Sequence, residues 1–385
     1  HLYVAERSRL FRFRAPNPPH LSPGPPAYTN QATLQLAGTA SPGALITARS
    51  GGETATTQAE PERGTFFLSP IRLQANRENR LEAFATGVAG HGLTSAPAAF
   101  RILHDDVEPT VSTRTDPAGP YLRGQVHLIA EAQDPAPDGG AASGLARLTL
   151  RLLDAGPTEV IRTAAEGAGT ADPLMALQAL QSPGLPDGPY TLEATAEDYA
   201  GNHAIVSQPR TLDNTPPSLG ILGVSSGATV RGTLQVEVVS ADATSGLDRV
   251  ELSLDGRTTH SSGEAPLRAA FDTGLLASGL HTLLAQATDR AGNEATTIVP
   301  FTVANLTVHL VSPASGTSVP SGTVLVQGTV ETSAAEVGVV INDILAAVQG
   351  TTFAALVTVT PETTSLTARA TTATGATASH SLVIT

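Results

Sequence analysis

The heptapeptide Ala-Thr-Asp-Arg-Ala-Gly-Asn at residues 287–293 recurs upstream as Ala-Glu-Asp-Tyr-Ala-Gly-Asn at residues 196–202. Alternating apolar residues precede the two copies, at Leu283, Ala285 and Ala287 and at Leu192, Ala194 and Ala196. A period of two predicts a half-buried strand. Asp-x-x-Gly-Asn between two strands predicts a hairpin turn whose backbone is capped by the Asp. The motif therefore predicts a repeated antiparallel hairpin.

The same hairpin occurs twice more in a weaker form. Leu81, Ala83 and Ala85 precede residues 87–91, and Leu366, Ala368 and Ala370 precede residues 372–376. Gly87 and Thr372 stand where the other copies have the acid. A repeat at a fixed period of this size indicates an array of like domains. Each repeat is long enough to close one core between two sheets.

Three motifs carry a likeness to a known family. They are Asp-x-Ala-Gly-Asn in the hairpin, Ser-Gly-Leu at residues 143–145 and 245–247, and Asp-Asn-Thr-Pro-Pro at residues 213–217. Together they resemble the bacterial Ig-like repeats of adhesins, surface-layer proteins and secreted enzymes. Residues 310–316 and 326–330 are similar to the Ig-like accessory domains of glucodextranase type.

This resemblance and the repeat predict an all-β fold of four tandem Ig-like β-sandwich domains in an elongated rod, with a short N-terminal strand segment. The predicted boundaries are 1–15 for the basic N-terminal segment, 16–104 for domain 1, 105–213 for domain 2, 214–304 for domain 3 and 305–385 for domain 4. Relative to domain 3, domain 2 carries an insertion at residues 135–140.

One segment of domain 2 has features of a helix. Residues 172–180 begin with Asp and Pro and have apolar residues at a spacing of three, which is typical of a helix start. The repeat instead aligns Leu180 with Phe271, in a segment of domain 3 where Leu267, Ala269 and Phe271 alternate. We therefore predict a strand.

The composition limits the classes of partner and compartment. The net charge of −13 argues against nucleic acid as the main partner. Cysteine is absent, which excludes disulfides, and no run of about 18 apolar residues predicts a membrane span. The chain begins at His1 rather than Met, so we expect a processed product or a fragment. An acidic, strand-rich chain of this kind fits a secreted or cell-surface bacterial protein.

The N-terminal segment differs from the rest of the chain. Four arginines lie among apolar residues within residues 1–15, which are followed by Pro-Asn-Pro-Pro. The segment resembles the last strands of an NHL-type propeller blade over a dozen residues. It is a remnant of a preceding domain, a strand added to domain 1, or a strand donated to the next molecule. For the last case, the self-association residues are Arg7, Arg9, Leu10, Phe11, Arg12 and Phe13.

No catalytic site is predicted. Gly-x-Ser-x-Gly occurs at residues 223–227, but a nucleophile elbow needs a helix after it, and a strand is predicted there. The ten histidines show no metal-binding spacing.

Calcium is the one ion hypothesis with support in the sequence. Acids cluster at the predicted domain ends, at Asp105, Asp106, Asp134, Asp138, Asp198, Asp213, Asp242 and Asp289, and calcium prefers oxygen ligands. The family resemblance implies calcium near such junctions. Carried over, it implies Asp198 with the joint after Asp213, and Asp289 near the joint between domains 3 and 4. Plain turn chemistry of the Asp residues is the alternative.

These observations predict a non-enzymatic extracellular structural or adhesive protein, which spaces, adheres or assembles head-to-tail into a surface filament. Its partners would be other copies of the chain, another surface protein or a glycan. The alternative is an accessory region, spacer or glycan-binding, of a secreted glycosidase or peptidase whose catalytic domain lies upstream.

Overall fold

The computed structural model describes residues 2–6, 9–87, 92–168, 173–332, 334, 336–373 and 375–385, with side chains from residue 14 onward. The chain divides into two compact units, His1–Leu212 and Asp213–Thr385. Strands dominate both units, and the helical segments of the described ranges are the short 3-10 turns Ser182–Gly184 and Thr273–Leu275. The all-β fold class is confirmed.

The first unit begins with a hairpin. Strands β1 (Leu2–Glu6) and β2 (Arg9–Phe13) pair antiparallel and form a two-stranded sheet of their own. The predicted N-terminal strand segment thus contains two strands. Of the predicted self-association residues, Arg7 lies outside the described residues, and residues 9–13 form β2.

Domain 1 contains ten strands in three sheets. They are β3 (His20–Leu21), β4 (Tyr28–Thr29), β5 (Thr33–Leu34), β6 (Ala37–Thr39), β7 (Leu45–Ser50), β8 (Glu53–Gln58), β9 (Thr65–Phe67), β10 (Ile71–Arg72), β11 (Arg77–Thr86) and β12 (Ala98–His104). The largest sheet has the order β4-β12-β11-β7-β8, beside β3-β6-β9 and the pair β10-β5. Strands β5 and β6 are separated at residues 35–36, because β5 pairs with β10 whereas β6 pairs with β3 and β9.

Domain 2 is a sandwich of a three-stranded and a five-stranded sheet. Its strands are β13 (Thr110–Asp116), β14 (Tyr121–Leu122), β15 (Gln125–Gln133), β16 (Leu145–Leu153), β17 (Glu159–Glu166), β18 (Leu174–Gln181), β19 (Gly188–Asp198) and β20 (His203–Leu212). The sheet orders are β13-β15-β18 and β14-β20-β19-β16-β17. Strand β18 covers the segment with helical features, so the strand prediction is confirmed. Its side chains alternate because Ala176 and Leu180 are buried against the core.

Domain 3 repeats this topology. Its strands are β21 (Ser218–Leu222), β22 (Thr229–Val230), β23 (Thr233–Ala241), β24 (Leu247–Leu254), β25 (Arg257–Ser262), β26 (Leu267–Asp272), β27 (Gly279–Asp289) and β28 (Glu294–Val303). The sheets have the orders β21-β23-β26 and β22-β28-β27-β24-β25. The predicted alignment of Leu180 with Phe271 holds, since both lie on the third strand of the smaller sheet.

Domain 4 has a different arrangement, with four strands in each sheet. Its strands are β29 (Leu306–Ser312), β30 (Gly322–Thr332), β31 (Val337–Ile341), β32 (Ile344–Leu345), β33 (Ala347–Gln349), β34 (Thr352–Val359), β35 (Ser365–Thr372) and β36 (Thr377–Val383). The sheets are β29-β30-β34-β33 and β32-β31-β35-β36. A turn at Asn342-Asp343 joins β31 to β32, and both residues have positive φ, 44° and 68°.

The column of alternating apolar residues forms the centre of all four cores. Every member is at most 1% exposed, in domains 1 (Leu81, Ala83, Ala85), 2 (Leu192, Ala194, Ala196), 3 (Leu283, Ala285, Ala287) and 4 (Leu366, Ala368, Ala370). Each lies in a separate hydrophobic cluster. The column positions the hairpin turn that follows it in every domain.

A buried histidine fixes the β24–β25 turn of domain 3. His281 Nδ1 lies 2.7 Å from Asp255 Oδ2, and its Nε2 lies 2.7 Å from the Ala277 carbonyl oxygen. Both partners are acceptors, so the ring carries protons on both nitrogens. Burial opposes this charge, but the bonds to Asp255 and Ala277 outweigh it and raise the pKa of His281. For Asp255, burial is likewise outweighed by bonds from His281 and the Thr282 N–H, which lower its pKa.

These shifts predict a pH dependence for the stability of domain 3. Because the pKa of His281 is raised, its contribution to the stability of domain 3 is fully present below the ordinary pKa of 6.5. That contribution is lost as the pH rises through the pKa of His281 in the folded state. Because the pKa of Asp255 is lowered, its contribution to stability is present above the ordinary pKa of 3.8 and is lost as the pH falls through the pKa of the folded state. Raising the pH from about 6 to about 9 is therefore expected to cost on the order of 1 kcal/mol, measured as the unfolding temperature of domain 3.

The repeat supplies a matched variant for this prediction. Domain 2 has Tyr190 at the corresponding position, and its hydroxyl donates to the Pro186 carbonyl at 2.9 Å. His281→Tyr is expected to fold and to lose the decline in unfolding temperature. An equal decline in wild type and His281→Tyr would show that another group titrates.

Candidate metal centres

The hairpin turn of domain 2 is fastened to the residue at which the chain enters that domain. Asp198 Oδ1 accepts the Asn202 N–H at 2.9 Å, and Asn202 Nδ2 donates to Asp198 Oδ2 at 2.7 Å. The same Nδ2 donates to the Asp105 carbonyl at 2.9 Å. Gly201 has a φ of 91°, which permits the tight turn. The Asp-x-x-Gly-Asn motif therefore closes its own turn and holds the domain entrance.

Domain 3 uses the same construction with its own copy. Asn293 N–H and Nδ2 donate to Asp289 Oδ1 and Oδ2, both at 2.8 Å. Nδ2 also donates to the Asp213 carbonyl at 3.1 Å. Asp213 thus corresponds to Asp105, and Asp289 to Asp198.

A third aspartate completes a cluster in domain 2. Asp105, Asp134 and Asp198 each offer a carboxylate oxygen, and these oxygens lie within 4.8 Å of one another. The three residues, called the first triad, are at most 3% exposed. Two of these residues lie at strand ends of domain 2. Asp134 directly follows β15, and Asp198 is the last residue of β19.

One oxygen of the first triad has no hydrogen-bond partner. Asp105 accepts N–H groups on both oxygens, from Val107 at 3.1 Å and from Ser143 at 2.6 Å. Asp134 Oδ2 accepts the Gly144 N–H at 2.7 Å. Asp134 Oδ1 is buried and accepts no hydrogen bond of standard geometry from the described residues. An unsatisfied buried carboxylate oxygen is costly, so this atom indicates a missing proton or cation.

The electrostatics of the first triad favour such a partner. Burial, together with the charges of Asp105 and Asp198, raises the pKa of Asp134 to about 6, against the bond from the Gly144 N–H and a weaker interaction with the Ser143 side chain. Burial also raises the pKa of Asp198, against its bonds from Asn202. Close carboxylates disfavour one another's ionised forms, and a positive charge among them favours those forms. Carboxylate and carbonyl oxygens are the donor set that Ca²⁺ prefers, so the residues fit a calcium ion.

The second triad lies in domain 3 and comprises Asp213, Asp242 and Asp289. Their carboxylate oxygens also lie within 4.8 Å of one another, but Asp242 is partly exposed. Asp242 Oδ1 accepts the N–H groups of Thr244, Ser245 and Gly246 at 3.1, 2.8 and 2.7 Å. The short link after Asp242 brings these donors together. In domain 2 the longer loop brings only the Gly144 N–H to Asp134.

The triads group the predicted calcium residues differently from the sequence-based expectation. Asp198 joins Asp105 and Asp134 instead of Asp213, and Asp289 joins Asp213 instead of the joint before domain 4. The reason is strand direction. After the turn, β20 and β28 run for ten residues each, about 30 Å, so the turn lies at the opposite end of the domain from the chain exit.

Asp105, Asp134 and Asp242 complete the triads although the sequence singled them out only as acids near domain ends. A sharper signal was present in the repeat. Asp134 and Asp242 occupy the same position before Ser-Gly-Leu, at residues 143–145 and 245–247. That alignment could have assigned one ligand to each domain.

The hairpin turn of domain 4 closes without a carboxylate. The Thr372 N–H donates to the Ala376 carbonyl at 2.9 Å, and Thr372 Oγ1 accepts the Ala376 N–H at 3.1 Å. In domain 1, residues 88–91, including His91, lie outside the described residues. Across the described ranges the acidic clusters of three lie in domains 2 and 3.

The Gly-x-Ser-x-Gly motif lies in a turn between β21 and β22. Gly223 and Gly227 have φ values of 95° and 77°, and a Cβ at Gly223 would lie 2.1 Å from the Gln235 carbonyl oxygen. The two glycines therefore serve the turn. A strand follows the motif, as predicted.

Comparisons with known proteins agree with this architecture. Residues 217–285 match the family model of the bacterial Ig domain. The likeness to tandem bacterial Ig-like repeats is therefore confirmed. A comparison with curated proteins finds no match.

Solved structures of tandem domains are similar to this chain. A tetra-tandem repeat from the extending region of a large adhesion protein has 20% identity and a TM-score of 0.33, covering 93% of this chain and 98% of that one. Titin domains I67–I69, in an E-to-A variant, have 12% identity and a TM-score of 0.40, covering 76% and 99%. The fibronectin(III)-like modules of Clostridium thermocellum CbhA have 17% identity and a TM-score of 0.31, covering 50% and 94%. At these TM-scores the likenesses do not bear on function.

Two general findings bear on the class of protein. Ig-like domains are typically non-catalytic modules. In the described part of the chain, no helix has the length and apolar character needed to cross a bilayer.

Proposed function

We propose that the chain is a non-enzymatic extracellular structural or adhesive protein whose domains 2 and 3 each bind a calcium ion at their entrance. The unpartnered Oδ1 of buried Asp134 carries the proposal for the ion. The tandem Ig-like architecture and the match to the bacterial Ig domain support the structural role. Asp105 and Asp198 would hold the ion with Asp134, and Asp213 and Asp289 with Asp242. The bound ion would supply a positive charge that offsets the repulsion among the carboxylates of each triad.

Calcium titration by calorimetry tests this proposal. Wild type is expected to bind two ions per chain, and Asp134→Asn is expected to retain only the site in domain 3. Asp138→Asn is the matched control, because Asp138 is exposed and lies in the same loop outside the triad. No heat of binding in wild type, or equal binding by Asp134→Asn, would reject the first site.

A finer proposal is that copies of the chain associate through the N-terminal hairpin. Strands β1 and β2 form a sheet of their own, and an isolated hairpin is marginally stable in water. The hairpin region is basic whereas the chain as a whole has a charge of −13, so attraction between copies is favoured. Arg7, Arg9, Leu10, Phe11, Arg12 and Phe13 are the residues proposed for this contact.

Sedimentation at low salt measures this association. The full chain is expected to associate with rising concentration, and the double variant Arg9→Glu/Arg12→Glu is expected to remain monomeric. Added salt is expected to weaken the wild-type association. Arg257→Glu, an exposed reversal of a single charge in domain 3, serves as the control. A wild-type monomer at high concentration and low salt would contradict the proposal.

The alternative role, as the accessory region of a secreted glycosidase or peptidase, predicts different behaviour. A glycan-binding accessory region would bind sugar saturably, with no need for association between copies. Glycan-array binding by a chain that remains monomeric would favour this alternative over the structural proposal.

A further inference from the structure

Domain 2 has a longer loop than domain 3 between two equivalent points of the fold. Residues 135–142 connect Asp134 to Ser143, whereas only residues 243–244 connect Asp242 to Ser245. Each loop starts at a triad aspartate and ends at a Ser-Gly pair whose N–H groups donate to triad carboxylates. Because both domains hold the two ends of this loop in the same way, the additional residues of domain 2 project from the fold that the two domains share.

This excursion contacts domain 1. The Ala141 N–H donates to the Asn76 carbonyl oxygen at 2.9 Å. The Gly140 N–H donates to the Pro137 carbonyl at 2.8 Å, which closes a turn just before this contact. A Cβ at Gly140 would lie 2.9 Å from the same Asn76 oxygen and 2.7 Å from Pro137 Cγ. The close approach of the two backbones therefore requires the absence of a side chain at Gly140.

Asn76 is held in place for this contact by its other polar groups. Its backbone has a φ of 54°, in the left-handed region that Asn tolerates. The Asn76 N–H donates to Nδ1 of His104 at 3.1 Å, and His104 is buried at the end of β12. Asn76 Oδ1 accepts the Asp106 N–H at 3.0 Å. One residue of domain 1 thus binds the segment between the domains and the loop of domain 2.

A second contact between the same two domains lies nearby in the fold. The rings of Tyr28 in domain 1 and Tyr199 in the domain 2 hairpin turn have centroids 5.4 Å apart. Domains 1 and 2 also belong to one compact unit. These contacts resist relative motion of two domains that a flexible segment alone would permit.

We propose that residues 135–141 are a latch that docks on Asn76 and holds domain 1 against domain 2. The surface it recognises is the loop of domain 1 that precedes β11. These contacts are formed between protein groups alone. The proposal of a latch therefore does not depend on calcium binding or on association between copies. Domain 3 lacks the latch because its link ends before any such excursion can form.

Spin labels on the full chain test the latch. The chain contains no cysteine, so Thr56→Cys in domain 1 and Ala164→Cys in domain 2, both exposed, can be labelled alone. Electron–electron distance measurements are expected to give one narrow distribution in the otherwise wild-type chain. Gly140→Val is expected to lose that single narrow distance, because its Cβ would collide with Asn76. Asp138→Ala, an exposed change in the same loop, is expected to keep it.

A second variant, in domain 1, tests whether misfolding of domain 2 could account for the result with Gly140→Val. Asn76→Gly keeps the positive φ and the carbonyl oxygen that accepts from Ala141, but it removes the Oδ1 that accepts from Asp106. This loosens the loop on which the latch docks, so the distance is again expected to broaden. Hydrogen exchange at core amides such as Leu150 and Ala83 should match wild type, which shows that both domains remain folded. A broad distance in wild type, or an unchanged narrow distance in both variants, would overturn the proposal. All distances are measured in chelator, so that a change in calcium binding cannot alter them.

Discussion

In chelator, domain 2 is expected to unfold at a much lower temperature than in millimolar calcium. A ligand present at about a hundred times its Kd stabilises the folded state by about 2.7 kcal/mol. For a domain of this size, that corresponds to a shift of more than about 10 °C. The physical reason is that three buried carboxylates of the first triad lie within 4.8 Å of one another. Differential scanning calorimetry in calcium and in chelator measures the shift.

The effect of Asp134→Asn on the stability of domain 2 is expected to differ in sign between calcium and chelator. In calcium it is expected to be less stable than wild type, because it loses a ligand. In chelator above about pH 7 it is expected to match or exceed wild type, because it removes the group whose pKa burial raises to about 6. Asp138→Asn is expected to follow wild type in both conditions. A wild-type transition that is identical in calcium and chelator would contradict the account of the first triad.

Phe301→Ala is expected to destabilise domain 3 by about 3–5 kcal/mol, the range for removing a fully buried aromatic ring. Phe301 is fully buried on β28 within the core of domain 3. Its ring centroid lies 5.8 Å from that of His281. Aromatic residues form only 4% of the sequence, so the surrounding small side chains cannot refill the space. Denaturant unfolding followed by the domain 3 transition measures the loss.

A neighbouring residue supplies the control for Phe301. Ile298 lies on the same strand and is 60% exposed, so Ile298→Ala is expected to change the free energy of unfolding by less than about 0.5 kcal/mol. Because each domain has its own hydrophobic cluster, the other transitions should stay in place in both variants. Equal effects of the two substitutions would contradict the assignment of Phe301 to the core.

The repeated column made the fold predictable from the sequence. Leu283, Ala285 and Ala287 alternate with polar residues, and a period of two leaves one face for burial. The turn chemistry of Asp289 and Asn293 was equally local, since Asp and Asn bond within the same hairpin. Features whose partners are close in sequence were therefore available without a structure.

Features that depend on distant partners were less accessible. Strands β5 and β6 are nearly continuous in sequence, but they pair with two different strands that come later in the chain. The triads were missed for the same reason. Asp198 meets Asp105 because β20 carries the chain exit to the far end of the domain, and strand length and direction decide that geometry.

The insertion in domain 2 shows how one local change has two consequences. It lengthens the link after Asp134, so fewer N–H groups reach that carboxylate than reach Asp242. It also carries Gly140 and Ala141 to Asn76 of domain 1. The sequence identified the insertion, but its contacts required the position of a loop that lies about sixty residues upstream.

Anomalous X-ray scattering from a crystal grown with calcium would locate the two proposed ions. We expect two strong peaks per chain, one within about 2.3–2.6 Å of carboxylate oxygens from Asp105, Asp134 and Asp198, and one at the same distances from Asp213, Asp242 and Asp289. Triads without anomalous density at saturating calcium, with direct hydrogen bonds between their carboxyl groups, would contradict this expectation.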